Sequence, residues 1–382
     1  MEYLLTEEQR MLREMVAKFA KEDIAPKAKE TDEHHLFPRD IINKAGELGL
    51  MGIAYPDTLG GAGMDYVSYM LAVEEISAVC ASTGVIISAH SSLCIAPIYQ
   101  FGTEEQKKKY MPDLCSGKKI GCFGLTEPSA GSDSGGTKTP AVLEGDTWIL
   151  NGTKTFITNG KEAEVAVLFA RTDMKVEPKT RGITAFIIEK GTKGFSVGKV
   201  ESKLGINGSS TTELILNDCR IPKENLLGQL NKGFKVAMVT LDGGRLGIAS
   251  QALGIAKAAI ADATQYAKDR CQFDVPIASF QAIQWMLADM VTEYEAAWLL
   301  TYRASLMKDK GLDHTREAAM AKLKASEVAN FCASKAIQIL GGYGYMKEFN
   351  VERYFRDAKI TELYEGTSEI QRLVIAAQHL KS

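Results

Sequence analysis

The sequence lacks the cysteine and histidine spacings that hold metals or build disulfide frameworks. Its seven cysteines are scattered, odd in number and contain no Cys-x-x-Cys pair. This excludes a zinc ribbon and argues against a disulfide scaffold, so we interpret the cysteines as reduced and mostly buried. The five histidines form no His-Glu-x-x-His or comparable pattern. We therefore expect no metal site.

An excess of positive charge is also absent. The net charge of −3 over 382 residues gives no footprint for nucleic acid or an anionic membrane. No apolar run approaches the length that spans a bilayer. Acidic residues occur at once in Glu2, Glu7 and Glu8, unlike a signal peptide or an Arg-rich transit segment. We predict that the mature protein starts at or near Met1, is cytoplasmic, and binds neither nucleic acid nor a membrane.

Proline is rare in the last third of the chain, where only Pro276 follows Gly233. That part and the first part of the chain both have helical periodicity, whereas short β-rich runs separated by turn residues fill the middle. The pattern predicts an α+β protein with an N-terminal helical domain at 1–119, a central antiparallel β-domain at 120–228 and a C-terminal helical bundle at 229–382.

Local signals locate several elements within these domains. Thr6 to Gln9 has the spacing of a capping box that opens a first helix, and Pro26 follows that helix. Glu144-Gly-Asp146 predicts a hairpin turn between two strands. No strand-to-helix turn carries Gly-x-Gly-x-x-Gly, which argues against a Rossmann nucleotide site.

The segment Leu363–Gln371 carries the most informative chemistry. Glu365 precedes a glycine, and Ser368 and Gln371 have the spacing of a capping box, so a helix is predicted to begin at Thr367 or Ser368. A carboxylate, a residue without a side chain and free helix N–H groups suit removal of a proton next to a carbonyl. A surface glutamate before a helix is the ordinary alternative.

Five segments in order along the chain resemble acyl-CoA dehydrogenases. They are Cys122–Asp133, Leu150–Asn159, Leu241–Arg245, Gln338–Tyr345 and Leu363–Gln371. The last is similar to the family's Ile-Tyr-Glu-Gly-Thr-Ser-Glu-Ile-Gln, with Leu363 in place of the first Ile. The resemblance covers essentially the whole chain and is nearest to the short-chain (butyryl-CoA) branch.

The resemblance implies a fold and a reaction. A β-domain would lie between two helical domains, with FAD in the cleft that they form. The enzyme would remove the α- and β-hydrogens of an acyl-CoA thioester. Glu365 would abstract the α-proton and flavin N5 would accept the β-hydride. The backbone N–H of Glu365 and a flavin ribityl hydroxyl would form the oxyanion hole.

The resemblance also implies which residues contact FAD. Thr126 would bond to the pyrimidine side of the ring, Ser132 would contact pyrophosphate or CoA, and Phe156, where many relatives have Trp, would cover the flavin. Judged locally, the segment 128–131 is an ordinary turn that closes a strand. The FAD residues are Phe123, Leu125, Thr126, Ser132, Phe156, Ile157, Thr158, Arg270, Phe273, Gln281, Gln338, Ile339, Leu340, Gly341, Gly342, Thr367, Ser368 and Glu369.

A second set of residues is implied to bind the substrate. Asp242 and Arg245 match the motif that holds the CoA portion, although an isolated pair at this spacing is usually exposed. The two glycines between them are unfavourable in a helix and indicate a close approach to the backbone. The substrate residues are Ser132, Asp242, Gly243, Gly244, Arg245 and Gly366.

One part of the match is imperfect. Arg270 and Phe273 fit the family's Arg-x-x-Phe motif, whose arginine reaches the FAD pyrophosphate of a neighbouring subunit. Asp274 stands where relatives usually have glycine, which puts the loop geometry in question. The resemblance further implies a homotetramer that passes electrons to an electron-transferring flavoprotein.

Residues 81–100, which the resemblance places beside the acyl group, contain no Lys or Arg. A second carboxylate on the substrate would be unpaired there, so a neutral short-chain, branched or alicyclic acyl group is predicted. His90 is either a pocket residue or a satisfied core histidine. The alternatives are an acyl-CoA oxidase, an enoyl-CoA reductase of the same fold, and a non-catalytic flavoprotein that binds nucleic acid.

Overall fold

The computed structural model describes residues 2–381 and has the predicted order of helical, β and helical regions. The strands are β1 (Gly121–Gly124), β2 (Ala141–Glu144), β3 (Thr147–Thr158), β4 (Val165–Arg171), β5 (Ile183–Glu189), β6 (Phe195–Val200), β7 (Thr211–Pro222), β8 (Leu226–Leu227), β9 (Cys271–Gln272) and β10 (Val275–Pro276). The helices are α1 (Glu7–Phe19), α2 (Ala25–Glu33), α3 (Arg39–Glu47), α4 (Tyr66–Val79), α5 (Ala81–Ala89), α6 (Ala96–Phe101), α7 (Glu104–Cys115), α8 (Gly233–Asp269), α9 (Gln281–Asp309), α10 (Thr315–Leu340), α11 (Val351–Ile360) and α12 (Ser368–His379).

The first helix starts as predicted but does not stop at proline. Thr6 and Gln9 form the reciprocal capping box. The helical run then continues through a π-helical segment, Ala20–Ile24, into α2. Pro26 lies in the first turn of α2. Backbone N–H groups in a first turn have no acceptor within the helix, so the N–H that proline lacks is not missed there.

The central region contains two four-stranded sheets. Their strand orders are β1-β4-β5-β8 and β2-β3-β7-β6. The hairpin turn was predicted correctly, since Glu144 pairs with Thr147. The expectation of purely antiparallel pairing was wrong at one place, because β1 and β4 are parallel. Trp148 and Phe186 meet between the sheets with ring centroids 5.3 Å apart.

The helices before and after the β-region share one hydrophobic core. Buried residues of α4, such as Val73, pack with Leu246 and Leu253 of α8 and with Ala329 of α10. The first sheet packs its other face on α6, α7 and the start of α8. The N-terminal half of α8 therefore lies between the sheet and the helices, and Asp242–Arg245 lies in that half.

One buried stretch corrects the sequence-based statement about apolar runs. Residues Ala81–Phe101 form a 21-residue helical run with a mean hydropathy of 1.4, long and apolar enough to span a bilayer. The whole of that apolar window is buried inside the protein, which is the environment of a core helix.

His90 lies within this run as a satisfied core histidine. Its Nε2 lies 2.9 Å from the carbonyl oxygen of Leu114, and its Nδ1 accepts from the backbone N–H of Gly121. Burial lowers the pKa of His90 to about 4, so the ring is neutral at pH 7. The histidine ties the helical run to α7 and β1.

The cysteines follow the prediction closely. Among residues 2–381 all seven are free thiols, and all but Cys271 are buried. The described residues contain no cluster of three or more His, Cys, Asp or Glu side chains placed to hold a metal ion.

Candidate active site

Glu365 lies in a strained segment between α11 and α12. Its φ is +52° and that of Gly366 is +94°. A left-handed glutamate is uncommon and persists only where surrounding contacts hold it. Gln371 Nε2 donates to the carbonyl oxygens of Glu365 and Gly366, at 3.2 and 2.8 Å. Lys322 Nζ donates to the Gly366 carbonyl oxygen at 2.8 Å, so two side chains fix the peptide groups that carry Glu365.

The start of α12 was predicted at the right place for a reason that was partly wrong. Thr367 is the N-cap and accepts from the backbone N–H of Ile370. Ser368 is the first helical residue, so Ser368 and Gln371 do not form a capping box. Gln371 instead turns back to the carbonyl groups that precede the helix.

The carboxylate of Glu365 points at α8. A Cβ atom on Gly244 would lie 2.1 Å from Glu365 Oε2, so the glycine makes room for the carboxylate. This oxygen is buried and has no hydrogen-bond partner. Burial raises the pKa of Glu365 to about 7, although the positive charges of Lys322 and Arg245 act against the increase. Desolvation therefore outweighs the stabilising charges, as a general base for neutral pH requires.

Two neighbouring carboxylates are engaged elsewhere. Glu362 forms an ion pair with Lys359 at 2.6 Å. Glu369 is exposed in the first turn of α12, and hydrogen bonds to its own backbone N–H and to Thr367 lower its pKa. Of these three glutamates, only Glu365 combines a buried, unpaired oxygen with a raised pKa.

Asp242 and Arg245 form a buried pair rather than the exposed one that their spacing ordinarily indicates. Arg245 Nη1 donates to Asp242 Oδ1 at 2.5 Å, and Thr315 Oγ1 donates to Asp242 Oδ2 at 2.8 Å. Arg245 Nε is buried without a partner. An unpaired donor and the unpaired acceptor Glu365 Oε2 thus border the same part of α8, as expected of a polar ligand site.

The other glycine of this motif also has a close neighbour. A Cβ atom on Gly243 would lie 2.6 Å from Lys308 Nζ and 3.1 Å from Tyr66 Oη. Tyr66 Oη donates to the Gly243 carbonyl oxygen at 2.8 Å. Both predicted close approaches to the α8 backbone are therefore present, and α8 remains helical through them.

The residues predicted to hold the flavin ring lie at the end of β3 and after β1. Phe156 has a φ of +58° and leaves 65% of its surface exposed. The backbone N–H of Thr155 donates to the Thr126 carbonyl oxygen at 2.9 Å, which joins the two segments. An exposed aromatic ring beside the half-buried Thr126 and Thr158 offers a flat apolar face with hydroxyls, as a flavin requires. These residues fit FAD.

A buried ion pair anchors both segments. Lys154 Nζ lies 2.7 Å from Glu127 Oε1, with the two side chains 0% and 5% exposed. Lys154 also donates to the Leu125 carbonyl oxygen at 3.2 Å. Burial alone would raise the pKa of Glu127, but the charge and hydrogen bond of Lys154 lower it to about 2. Sequence analysis missed both residues.

Replacing Lys154 with Met should destabilise the protein by ~3–5 kcal/mol, because Glu127 would become a buried charge without its cation. The joined flavin segments should loosen, so purified protein should also retain less FAD. Thermal unfolding and FAD content of the holoenzyme measure both effects. The double variant Lys154→Met/Glu127→Gln should recover part of the lost stability; a single variant with the parental melting temperature would refute the anchoring function.

Several of the predicted FAD residues from α8 and α10 onward line a separate cleft of about 460 Å³. Arg270, Gly341 and Gly342 border it, and the Arg270 guanidinium carbon lies 5.6 Å from the centre of the Tyr343 ring. Tyr266 and Tyr343 also line the cleft, and neither was among the predicted residues. The remaining predicted residues in the lining are Ile339 and Leu340.

Asp274 is compatible with the loop that follows Arg270. Gln272 and Val275 pair across a two-residue hairpin turn. Phe273 and Asp274 in that turn have φ values of +52° and +65°, the left-handed pair that such turns need, and aspartate tolerates this region. The departure from glycine therefore leaves a regular hairpin, with the Phe273 ring 89% exposed.

The other predicted residues are distributed over these regions. Leu125 and Ile157 are buried, Phe123 packs at 4.9 Å from the Phe169 ring, and Ser132 is exposed. Gln281 begins α9. Gln338 lies in the last turn of α10. The individual binding functions of these residues stay predictions.

The chain matches known proteins over nearly its whole length. Residues 6–118, 122–219 and 231–380 match the N-terminal, middle and C-terminal domains of acyl-CoA dehydrogenase. The short-chain specific acyl-CoA dehydrogenase of Clostridium acetobutylicum is 54% identical over 99% of both chains. The acryloyl-CoA reductase (NADH) of Anaerotignum propionicum is 50% identical, covering 100% of this chain and 96% of its own.

Solved structures agree with the fold. Butyryl-CoA dehydrogenase from Megasphaera elsdenii superposes with a TM-score of 0.96 at 47% identity, over 98% of this chain and 99% of its own. A chain from a study of the electron-transferring flavoprotein of Acidaminococcus fermentans gives a TM-score of 0.97 at 52% identity, over 99% of both chains. Together with the site around Glu365, these similarities show that the chain belongs to the acyl-CoA dehydrogenase family, whose members are FAD-dependent oxidoreductases.

Proposed function

We propose that this protein dehydrogenates a neutral short-chain acyl-CoA to the 2-enoyl-CoA, with Glu365 as the general base. The observation that carries the proposal is the buried, unpaired Oε2 of Glu365, on a carboxyl whose pKa burial raises to about 7. Such a group accepts a proton readily at neutral pH, and its neutral form is favoured in a buried site.

The residues around Glu365 would divide the work as follows. Glu365 Oε2 takes the α-proton, and the left-handed segment, held by Lys322 and Gln371, keeps this oxygen on the α8 side. Arg245 and Asp242 border the same space and bind the thioester's CoA portion. Thr126, Phe156 and Thr158 hold FAD, which supplies the hydride acceptor when bound.

The assignment of Arg245 to the CoA portion predicts different effects on acyl-CoA binding and on FAD binding. Arg245→Ala should weaken binding of acyl-CoA by more than it lowers FAD content, because the buried pair lies on α8 beside Glu365, whereas the proposed flavin residues lie at the end of β3 and after β1. Binding of a CoA ester is measured by titration and FAD by absorbance after denaturation. If the variant bound acyl-CoA normally but lost FAD, the assignment of this pair to CoA would be wrong.

The surroundings of residues 81–100 favour an uncharged acyl group. The stretch has no Lys or Arg and is buried almost throughout, so a distal carboxylate would be left without a partner at a cost of a few kcal/mol or more. With an artificial electron acceptor, butyryl-CoA should be oxidised well and glutaryl-CoA poorly. Preference for glutaryl-CoA, or for no acyl-CoA tested, would contradict the proposed substrate class.

The relatives support two candidate directions for the reaction and one candidate redox partner. The flavoprotein study and the short-chain dehydrogenases support oxidation coupled to an electron-transferring flavoprotein. The acryloyl-CoA reductase supports the reverse reaction as a second candidate. Two rates of the enzyme decide between them: butyryl-CoA oxidation with the oxidised electron-transferring flavoprotein as electron acceptor, and crotonyl-CoA reduction with the reduced flavoprotein as electron donor. Rapid oxygen consumption without either partner would favour an oxidase.

We also propose a cytoplasmic homotetramer. Free cysteines are typical of a reducing compartment. Exposed apolar side chains on α9 and α12, among them Trp285, Leu299 and Leu373 at 63%, 45% and 64% exposure, are the kind of surface that other subunits cover. Light scattering of the purified holoenzyme measures the mass, and a monomeric mass would contradict the assembly.

A further inference from the structure

Lys322 is a buried lysine whose positive charge the proposed chemistry does not by itself use. It lies on α10 with 0% of its surface exposed. Among the described residues its hydrogen-bond partner is the Gly366 carbonyl oxygen, at 2.8 Å. Within residues 2–381 no carboxylate lies within ion-pair distance of Nζ. Burying an ammonium group without an ion-pair partner is costly, which calls for a compensating function.

We propose that Lys322 is a positioning residue for Glu365. Through the Gly366 carbonyl it holds the left-handed segment, and its positive charge favours the ionised form of the Glu365 carboxylate. The inference rests on the proposed function of Glu365 as the base. It extends that function by giving the base a second cation, on α10, in addition to Arg245 on α8.

Among the charged groups around Glu365, Lys322 is the cation with the larger effect on the pKa of Glu365. Arg245 faces Glu365 from α8, but its charge is shared with Asp242 at 2.5 Å. The tyrosines that face it from α4 and from its own segment are neutral at pH 7, because burial raises their pKa values. The groups that act electrostatically on Glu365 or on Lys322 are Tyr66 and Tyr69 of α4, Arg245 of α8, Lys322 of α10, and Glu362, Tyr364 and Glu369 beside Glu365.

Lys322 is itself charged at neutral pH. Burial lowers its pKa to about 8, while the negative charge of Glu365 opposes that change. At pH 7 the ammonium group therefore faces a carboxyl whose pKa is about 7. Removing the ammonium should make the ionised carboxylate less favourable and raise the pKa of Glu365 further.

Gln371 allows the mechanical and electrostatic contributions to be separated. Its amide donates to the same Gly366 carbonyl and to that of Glu365, but it carries no charge. Gln371→Met should loosen the segment and lower the maximal rate without moving the pKa of Glu365. Lys322→Met should do both.

The experiment compares pH titrations of the holoenzyme and its variants. Infrared difference spectra between each protein and the same protein with Glu365→Gln report the protonated carboxyl band of Glu365, independently of turnover. We expect Lys322→Met to move the midpoint upward by about one pH unit, the low end for an opposite charge at close range. The acid limb of anaerobic FAD reduction by butyryl-CoA should move by the same amount.

A matched control lies on the same helix. Lys324 forms an ion pair with Glu293 at a half-exposed site, so Lys324→Met removes the same charge from α10 without touching Gly366. Its midpoint should stay at the parental value. If Lys322→Met does not fold, Lys322→Gln, which removes the charge but keeps an amide donor, carries the same expected shift.

A parental midpoint in either Lys322 variant overturns the inference, as does an equal shift in Lys324→Met. Failure of the underlying function gives a different result. If the protein with Glu365→Gln alone reduces FAD at the parental rate, Glu365 is not the base, whatever the Lys322 titrations show. If that variant is inactive and the Lys322 midpoint is unmoved, only the positioning function is wrong.

Discussion

Changing Glu365 to Gln is expected to slow reduction of the bound FAD by butyryl-CoA by on the order of a hundred- to ten-thousand-fold. The amide keeps the size of the carboxyl and occupies the space that Gly244 leaves, but it has no basic oxygen for the α-proton. Fold, FAD content and CoA-ester binding should persist. Anaerobic stopped-flow mixing, followed at the absorbance of oxidised flavin, measures the rate.

The neighbouring glutamates supply the controls for this change. Glu362→Gln and Glu369→Gln alter carboxylates that are paired with Lys359 or exposed at the start of α12. Both variants should reduce FAD at close to the parental rate. If Glu365→Gln reduced FAD at the parental rate and Glu362→Gln or Glu369→Gln did so slowly, the glutamate at the slow variant's position would be the base.

Gly244→Ala is expected to lower the rate about a hundredfold, because a displacement of the base by about 1 Å is enough for such a loss. The added methyl group would lie 2.1 Å from Glu365 Oε2 and 2.7 Å from Leu93 Cδ2, so the carboxylate must move. Alanine is the better helix former by up to ~1 kcal/mol. If Gly244→Ala reduces FAD slowly but is as stable as the parent, the lower rate therefore results from displacement of the Glu365 carboxylate.

Gly243→Ala, one residue earlier on α8, is the comparison for this substitution. Its methyl group meets the flexible end of Lys308 at 2.6 Å and Tyr66 Oη at 3.1 Å, and the lysine can move aside. Its rate should fall by much less than that of Gly244→Ala. A Gly244→Ala protein with the parental rate, or a larger loss at Gly243, would contradict the proposed placement of the carboxylate against α8.

The sequence predicted the elements that depend on local signals. Thr6 and Gln9 specified the first helix start, and Glu144-Gly-Asp146 specified a hairpin, because caps and turns depend on neighbouring residues. The parallel pairing of β1 with β4 escaped prediction. These strands are about forty residues apart, and strand alternation carries no information on which distant strand will be the neighbour.

The sequence predicted the site residues that lie in recognisable motifs, but not the buried residues that hold those motifs in place. Glu365 and Gly244 were found because they lie in recognisable segments. Lys322 and Lys154 are single lysines in helix and strand sequence, and lysine is ordinarily exposed. Their burial and their partners, Gly366 and Glu127, arise only when separate elements pack together.

The most direct measurement of the central claim is α-hydrogen exchange of acetyl-CoA in D₂O by the holoenzyme. Acetyl-CoA has α-hydrogens but no β-carbon from which a hydride could leave, so exchange reports proton removal alone. Mass spectrometry should show enzyme-dependent deuterium uptake with the parent and with Glu362→Gln, and only background uptake with Glu365→Gln. Uptake at the parental rate by the Glu365→Gln protein would contradict the assignment of Glu365 as the base.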